Sequence, residues 1–364
     1  MLNRLKIIGI GSCIFWMLLL PFDYDLFDWF FKAVQFPVFS ALHFLDQHLL
    51  FETDTFGTYL LVILAVFLGA VFTPITYWFL QKYKLSSTEV LKTILGVILF
   101  FFLFSYGWNK LVKQQFYLPE PNILYTPFGQ LSKDIAYWSV VGSSYSYTIV
   151  LGIVELLAAV LLLFKRTQFL ASILAVGVFA QVFLVNFSFD ISVKLLSSSL
   201  LLFSILYSCC FSTQWKNVFG FPTLVVLKKD SKPRRILKAV FVFAVLLEVC
   251  LPNILSMSYN DDNAARLAHH GAYEVVGSNE IRRAFIHRHH YLILELRNGE
   301  FRDFAIDVSD KTQYATRNSE FICNWKINSP MLIHLQDTFW LKQLPYKELP
   351  ILKSGFHLTS DQFH

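Results

Sequence analysis

Charge is what this 364-residue chain has least of: 16% of its residues are Asp, Glu, Lys or Arg, against roughly a quarter in soluble proteins. A chain so poor in hydrated groups cannot cover a large water-facing surface, which excludes an ordinary soluble globule. Cysteine is scarce as well, with five residues. Cys13, Cys209, Cys210 and Cys250 fall in or beside apolar runs, where cysteine packs as a small apolar side chain. Cys323 alone lies in the polar C-terminal stretch, so that stretch can hold no internal disulfide; a Cys250–Cys323 bridge is the pairing left open, with packing the simpler role. The adjacent Cys209-Cys210 pair is not a Cys-x-x-Cys redox motif. Also missing are a Ser/His/Asp order, a Walker loop and a Gly-x-Gly-x-x-Gly sequence, which removes any sequence basis for hydrolysis, nucleotide use or dinucleotide binding. No internal repeat or low-complexity tract is visible.

What fills the chain instead is apolar: 55% hydrophobic residues, 38 of them Phe, with a mean hydropathy of +0.49. Several windows exceed the ~18 apolar residues that cross a ~30 Å hydrocarbon core. The composition predicts an α-helical integral membrane protein with about seven transmembrane helices, at Ile7–Phe22, Thr58–Leu80, Val90–Trp108, Tyr147–Phe164, Gln168–Phe189, Val193–Phe211 and Ile236–Leu255. The connecting segments then alternate in charge. One side holds Arg4, Lys6, Lys82, Lys84, Lys92, Lys165, Arg166 and the run from Lys216 through Lys228, Lys229, Lys232, Arg234 and Arg235 to Lys238. The other holds Lys32, Lys110, Lys113, Lys133 and Lys194 with nine acids, Asp23, Asp25, Asp54, Asp134 and Asp190 among them. The positive-inside rule makes the first side cytoplasmic. The net charge of +5 therefore reports topology, not nucleic-acid binding, and an odd number of spans sends the C-terminus outside. A multi-pass protein of the bacterial inner membrane is expected, N-terminus in the cytoplasm. The Lys228–Arg235 run reads most simply as a topology determinant touching anionic lipid headgroups.

The start, Asn3-Arg4-Leu5-Lys6 and an apolar run, opens like a signal peptide, but bulky Leu20-Pro21-Phe22-Asp23 follows in place of a small-x-small cleavage site. An uncleaved span is expected. Residues 26–51 mix Phe and Leu with Asp28, Lys32, Asp46, Gln47 and His48, and read as an interfacial amphipathic helix or a re-entrant segment broken at Pro37. From about Asn260 the composition turns to mixed charged and aromatic, with 12 basic and 13 acidic residues in the last 105. A small, soluble, β-rich domain is expected there, facing the periplasm in a Gram-negative host. Tyr291–Leu296 and Phe301–Ile306 flank Arg297-Asn298-Gly299-Glu300 as two strands of a hairpin, and Met331–Leu335 reads as a further strand. The domains expected are thus 1–89, an N-terminal membrane region of two spans and the interfacial segment; 90–212, a helical core; 213–257, a basic cytoplasmic loop and the last span; and 258–364, the exported β-rich domain.

Polar residues inside apolar spans are costly unless paired or functional, and one stretch concentrates them: Glu155, Gln181, Asn186, Asp190 and Lys194. At 1.5 Å per residue, Glu155 and Gln181 each lie roughly 12 Å below the outer ends of their helices, deep enough to hydrogen-bond to each other near the midplane. Asn186 sits about one turn from the outer surface, and Asp190 and Lys194 are spaced for an i,i+4 pair. Lys110 arrives at the same rim with Gln115 close by, but its stem must bridge several ångströms of depth to reach Glu155. Two readings follow. These residues are interhelical packing glue and a topology-fixing ion pair, or they form a ligand or proton track from Lys110, Gln115, Asp190 and Lys194 to Glu155 and Gln181. A quinone suits the track: its carbonyls want donors such as Lys or Asn, its reduction wants a carboxyl, and its tail wants Phe-rich walls. No metal, haem or flavin motif accompanies the track, so any redox role is that of an accessory subunit. His287 and His289 on one strand face, with His334, would offer three metal ligands, but the spacing matches no zinc pattern and Arg288 intervenes, so no metal site is assigned. Glu248 in the last span reads as a packing or snorkelling carboxylate.

The stretch 106–207 carries a family likeness. Tyr106-Gly107-Trp108-Asn109-Lys110-Leu111, Gln115-Phe116, Gly142-Ser143, Glu155, Leu161-Leu-Leu-Phe-Lys-Arg-Thr167 and Asn186-Phe-Ser-Phe-Asp-Ile-Ser-Val-Lys-Leu195 together resemble the DoxX-like membrane family, in a larger, mostly uncharacterised branch with a C-terminal extramembrane domain. The resemblance covers roughly 100 residues, and Gly355-Phe356-His357 matches the branch's C-terminal Gly-Phe-His. Lys165-Arg166-Thr167 stands where the branch has paired arginines, Phe189 where it has Tyr and Ser192 where it has Pro. The likeness implies a DoxX-like four-helix bundle core at 90–212. It also implies a redox association, since family members include a membrane subunit of a thiosulfate:quinone oxidoreductase and membrane partners in a mycobacterial redox-stress complex. Two functions are therefore carried forward: a DoxX-like subunit binding quinone or another lipophilic ligand in its bundle, alone or in a homo- or hetero-oligomer, and a non-catalytic anchor or scaffold whose exported domain binds a protein partner.

Overall fold

The structure, a computed structural model, describes residues 2–22, 25–220, 231–310, 312–318, 320–326, 329–334 and 337–353. Asp23, Lys228, Lys229, Leu335 and the Gly355-Phe356-His357 motif lie outside these. The helices are α1 (Leu2–Leu19), α2 (Asp28–Leu45), α3 (Phe56–Val71), α4 (Thr73–Lys82), α5 (Ser87–Leu111), α6 (Pro121–Tyr125), α7 (Lys133–Ser143), α8 (Tyr145–Leu162), α9 (Gln168–Ser188), α10 (Lys194–Cys209), α11 (Ser212–Val218) and α12 (Lys232–Leu255). The strands are β1 (Gly271–Val276), β2 (Ile281–His287), β3 (Tyr291–Leu296), β4 (Phe301–Asp310), β5 (Gln313–Thr316), β6 (Phe321–Lys326), β7 (Ser329–His334) and β8 (Asp337–Leu344). They form two compact units: a helical one of Met1–Gln115 with Ser146–Tyr259, and a strand-rich one of Phe116–Tyr145 with Asn260–His364.

In the helical unit, α5, α8, α9 and α12 are each long and apolar enough to cross a membrane, and α3–α4 and α10–α11 qualify as bent pairs, at 52° and 75°. Among the described residues, four to six crossings therefore meet the criteria of length and composition, where the sequence predicts seven; α1, the first expected span, is not one of them. The α3–α4 bend has a local cause. Pro74 sits in the first turn of α4, where its missing N–H starts a new helix rather than continuing the old one. Pro37, by contrast, does not break α2 as expected: before it the buried Gln35 Nε2 donates to the Leu20 carbonyl at 2.8 Å, and after it Val38, Phe39 and Leu42 pack on the unit's core. Trp16 sits in that core with its ring 4.9 Å from Phe203 and 5.2 Å from Phe22. On α12 the buried Glu248 carboxylate accepts the backbone N–H groups of Asp25, Leu26 and Phe27 at 2.5, 3.0 and 3.3 Å, so it anchors the chain entering α2.

Helices α5 and α8 touch at two glycines. A Cβ on Gly107 would lie 2.8 Å from Leu156 Cγ and 2.9 Å from the Gly152 carbonyl, and one on Gly152 would lie 2.8 Å from the Gly107 carbonyl. Backbones this close leave no room for a methyl group. The Gly107→Ala variant is therefore expected to lose about 1–3 kcal/mol of stability through overpacking; thermal unfolding in detergent, compared with Gly129→Ala at an open position, checks this.

In the strand-rich unit the eight strands run antiparallel in sequence order and close, β8 pairing with β1. Closure leaves no exposed edge. The expected hairpin is β3 and β4, with Glu295 opposite Phe301 and Gly299 at φ +89°, a left-handed conformation that glycine adopts without strain. Leu292, Leu294 and Leu296 fill the interior with Tyr273, Tyr314 and Trp325. The outer wall of β1–β3 is buried too, since Phe285 and Ile293 pack against Leu124 and Tyr125 of α6 and Tyr346. Residues 116–145, which the sequence reading assigns to the helical core at 90–212, thus belong to the barrel. A correction concerns the histidines. β2 ends at His287 and residues 288–290 form a turn, so His287 and His289 do not share a strand face. Among the described residues no three His, Cys, Asp or Glu side chains are grouped to hold a metal. The cysteines are free thiols, and burial pushes that of Cys323 up to about 12, consistent with packing alone.

Candidate functional site

The glycine contact sets the geometry of the polar residues. Lys110 and Glu155 each follow their contact glycine by three residues, so both project from the face on which α5 and α8 meet. In antiparallel helices the two positions diverge along the axis, and the lysine stem spans the gap. The Lys110 ammonium donates to both carboxylate oxygens of Glu155, at 2.8 and 2.9 Å, and to Gln115 Oε1 at 3.0 Å. Both charged side chains are about 5% exposed, and the Tyr106 ring lies 5.6 Å from the ammonium. Gln115 reaches this position because the chain reverses after α5. Lys113 takes a left-handed φ of +58°, and the Gln115 N–H returns to the Asn109 carbonyl at 3.0 Å.

The remaining predicted residues do not join this group. Gln181, expected to partner Glu155, is exposed on α9, and among the described residues the carboxylate pairs with Lys110 instead. The reason is rotational: the face that α9 buries carries Ala171, Ala175, Phe179 and Asn186, and Gln181 falls outside it. Asp190 and Lys194 do pair, at 2.7 Å, across the turn between α9 and α10 that the left-handed Asp190 creates. Asp190 is largely exposed, and the pair is a surface contact. Asn186 Nδ2 donates to the Val193 carbonyl at 3.5 Å, while Asp54 accepts the N–H groups of Lys194 and Leu195 at 2.7 and 2.8 Å, capping α10 from a distant loop. The predicted track is thus two groups: a buried one of Lys110, Gln115 and Glu155, and a rim of Asp54, Asn186, Asp190 and Lys194.

Sequence reasoning missed a second buried polar cluster, in the barrel unit. Glu120, 3% exposed, pairs with Arg288 and with His270 Nε2 at 2.7 Å; the His270 Nδ1 faces the Tyr346 hydroxyl at 3.1 Å. Arg288 also binds Asp261 and lies 4.1 Å from the centre of the Tyr117 ring, and Asp262 accepts the Leu118 N–H at 2.7 Å. Burial raises the Glu120 pKa, but the His270 hydrogen bond and the Arg288 charge outweigh it and hold the carboxyl at about 2. Burial also lowers the His287 pKa, against the attraction of Glu120 3.9 Å away. These contacts clasp 116–126 to the barrel. Lys113, which the charge pattern counts among the outer-side basic residues, is entirely buried at the end of the α5 turn. The signal available was local: Glu120 stands between Pro119 and Pro121, an unusual setting for a loop carboxylate.

The class defined is a protein with helices long enough to cross a bilayer, a buried Lys–Glu pair at a glycine contact between two of them, and a discontinuous closed β-barrel. No family model matches the chain, and no solved structure matches it. It is similar to YwoB, an uncharacterised protein of Bacillus subtilis (strain 168), at 36% identity over 105 residues. The match takes in 29% of this chain and 66% of that protein, so it spans less than two thirds of YwoB's length.

Proposed function

We propose that this chain is a DoxX-like protein of the bacterial inner membrane, N-terminus cytoplasmic and barrel extracytoplasmic, that serves as a redox-associated subunit binding a quinone or another lipophilic ligand beside Lys110 and Glu155. The observation that carries the reading is the buried pair itself. Two desolvated charges are expensive in an apolar bundle, and apolar side chains of the same volume would often hold helices together as well or better. Their placement at a glycine contact, with Gln115 linking them toward the chain reversal after α5, favours a role beyond packing. Lys110 offers a donor to a carbonyl, Glu155 an acceptor or a proton, and the neighbouring Phe and Tyr residues an apolar wall for a prenyl tail.

The test is native mass spectrometry of the full chain extracted in mild detergent, wild type against Lys110→Met/Glu155→Leu. The double variant removes both charges together and so leaves no uncompensated one. The wild type is expected to carry a quinone or similar lipophilic molecule and the double variant to lose it while keeping its helicity. Equal retention by both, or no such molecule on either, would sink the proposal.

A second reading, an anchor whose extracytoplasmic domain binds a protein partner, draws on one observation. The barrel unit carries an open cleft of about 720 Å³ lined by Arg266, His270, Gln343, Tyr346 and Lys347. Under that reading the double variant retains full biological activity, whereas substitutions in the cleft abolish it.

A further inference from the structure

Basic side chains from several helix ends converge at one end of the helical unit. Lys6 donates to Thr88 Oγ1 at 2.7 Å, joining the starts of α1 and α5; Arg234 donates to Thr93 Oγ1 at 2.8 Å, joining α12 to α5. Lys238, one turn further along α12, donates to the Leu163 carbonyl just after α8. The Lys92 ammonium lies 4.0 Å from the centre of the Phe211 ring, within electrostatic reach of Lys165, Arg234 and the single carboxylate of Glu89. Lys92, Lys165 and Lys238 are half-buried, and Arg234 is exposed beside them. The segments that the charge pattern places on this side contain fourteen basic residues and two acidic ones, Glu89 and Asp230. The positive surplus therefore survives any pairing among them.

A soluble anion would be satisfied by the charges alone, but this cluster stands at the head of an apolar wall. Beside Lys165 and the Leu163 carbonyl that Lys238 binds, α8 exposes Leu157 and Val160, at 50% and 44%, and Phe164 just after it is 58% exposed. Charge above and hydrocarbon below is the pattern that an anionic lipid matches.

We infer that Lys92, Lys165, Arg234 and Lys238 form a binding site for the headgroup of an anionic phospholipid, whose acyl chains run along α8. The guanidinium and the ammonium groups take the phosphate oxygens, which accept charge-assisted hydrogen bonds, and Leu157, Val160 and Phe164 take the chains. The inference rests on the helical unit's crossing a bilayer, and not on any ligand at Glu155: loss of quinone binding would leave it standing.

The full chain, delipidated in detergent and offered cardiolipin or phosphatidylcholine, is to be weighed by native mass spectrometry. The wild type is expected to retain cardiolipin in preference to phosphatidylcholine, and Lys92→Gln/Arg234→Gln to retain about tenfold less or below. Lys82→Gln/Lys84→Gln, which removes the same charge near the end of α4, should change nothing, and millimolar inorganic phosphate should not displace the lipid. Arg234→Gln alone, at an exposed position, carries the test at about a fivefold loss should the double variant not fold. Undiminished retention in the Lys92/Arg234 variants overturns the site. An equal loss in Lys82→Gln/Lys84→Gln shows diffuse surface charge instead, and displacement by phosphate shows a free-anion site; either result also overturns it.

Discussion

Replacing Glu155 by leucine alone is expected to cost the helical unit about 3–5 kcal/mol, because it removes the carboxylate that balances the buried Lys110 ammonium. Replacing both partners, as Lys110→Met/Glu155→Leu, should recover most of that loss. The penalty in the single variant is the desolvated, uncompensated charge and not the missing attraction, so removing the second charge removes the penalty. Chemical unfolding of wild type, both single variants and the double variant in one detergent gives the full cycle. A double variant as unstable as the singles would mean that the pair's shape and hydrogen bonds, not its charge balance, hold α5 to α8. Read with ligand retention, the cycle separates stability from function: a stable double variant without ligand marks the pair as a binding element.

The barrel unit is expected to lose about 3 kcal/mol of stability as Glu120 is protonated. Its carboxyl is held at about 2, against 4.5 when unperturbed. A depressed carboxyl stabilises the fold fully above its unfolded value, so the contribution is complete above pH 4.5 and is lost as the pH falls through 2. Hydrogen exchange of the peptides covering 116–126, corrected for the intrinsic pH dependence of exchange, should show protection falling over that window. In Glu120→Gln the protection should be lower at neutral pH and should vary less with acidity. Other carboxylates titrate over the same range, so the comparison with Glu120→Gln is what isolates this one. A wild-type profile that overlays that of the variant would show that Arg288 and Asp261 hold the clasp without Glu120.

The same clasp bears on how the barrel can be removed experimentally. Truncation after about Ser258 deletes the barrel but leaves 116–126 without Arg288, His270 and the outer wall of β1–β3. A clean deletion must also replace 116–145 with a short linker. Otherwise a newly exposed apolar segment confounds any phenotype.

Several parts of the fold are legible in the chain. The hairpin of β3 and β4 is written in alternating residues around Asn298-Gly299, and its register follows from that turn. The apolar runs that become α5, α8, α9 and α12 are long and nearly free of charge, and their limits fall within a few residues of those expected. The partner of Glu155 is not legible, because position along a helix says nothing of rotation: Gln181 lies outside the face that α9 buries. Pro37 looks like a break in sequence, yet the Gln35 hydrogen bond before it and the packing of Val38, Phe39 and Leu42 after it carry α2 through.

From composition and periodicity alone the chain determined that it would form apolar helices followed by short antiparallel strands, and that its basic residues would gather in alternate connections. These properties depend on neighbours within a turn or a hairpin. Only the tertiary structure decided that Lys110 meets Glu155 45 residues away, that Asp54 caps α10, and that Glu120 and Arg288, 168 residues apart, tie the 116–145 segment to a closed barrel. Such pairings are set by where glycines let helices touch, by which face each helix buries and by where the sheet closes. All three are properties of the packed chain and not of any one segment.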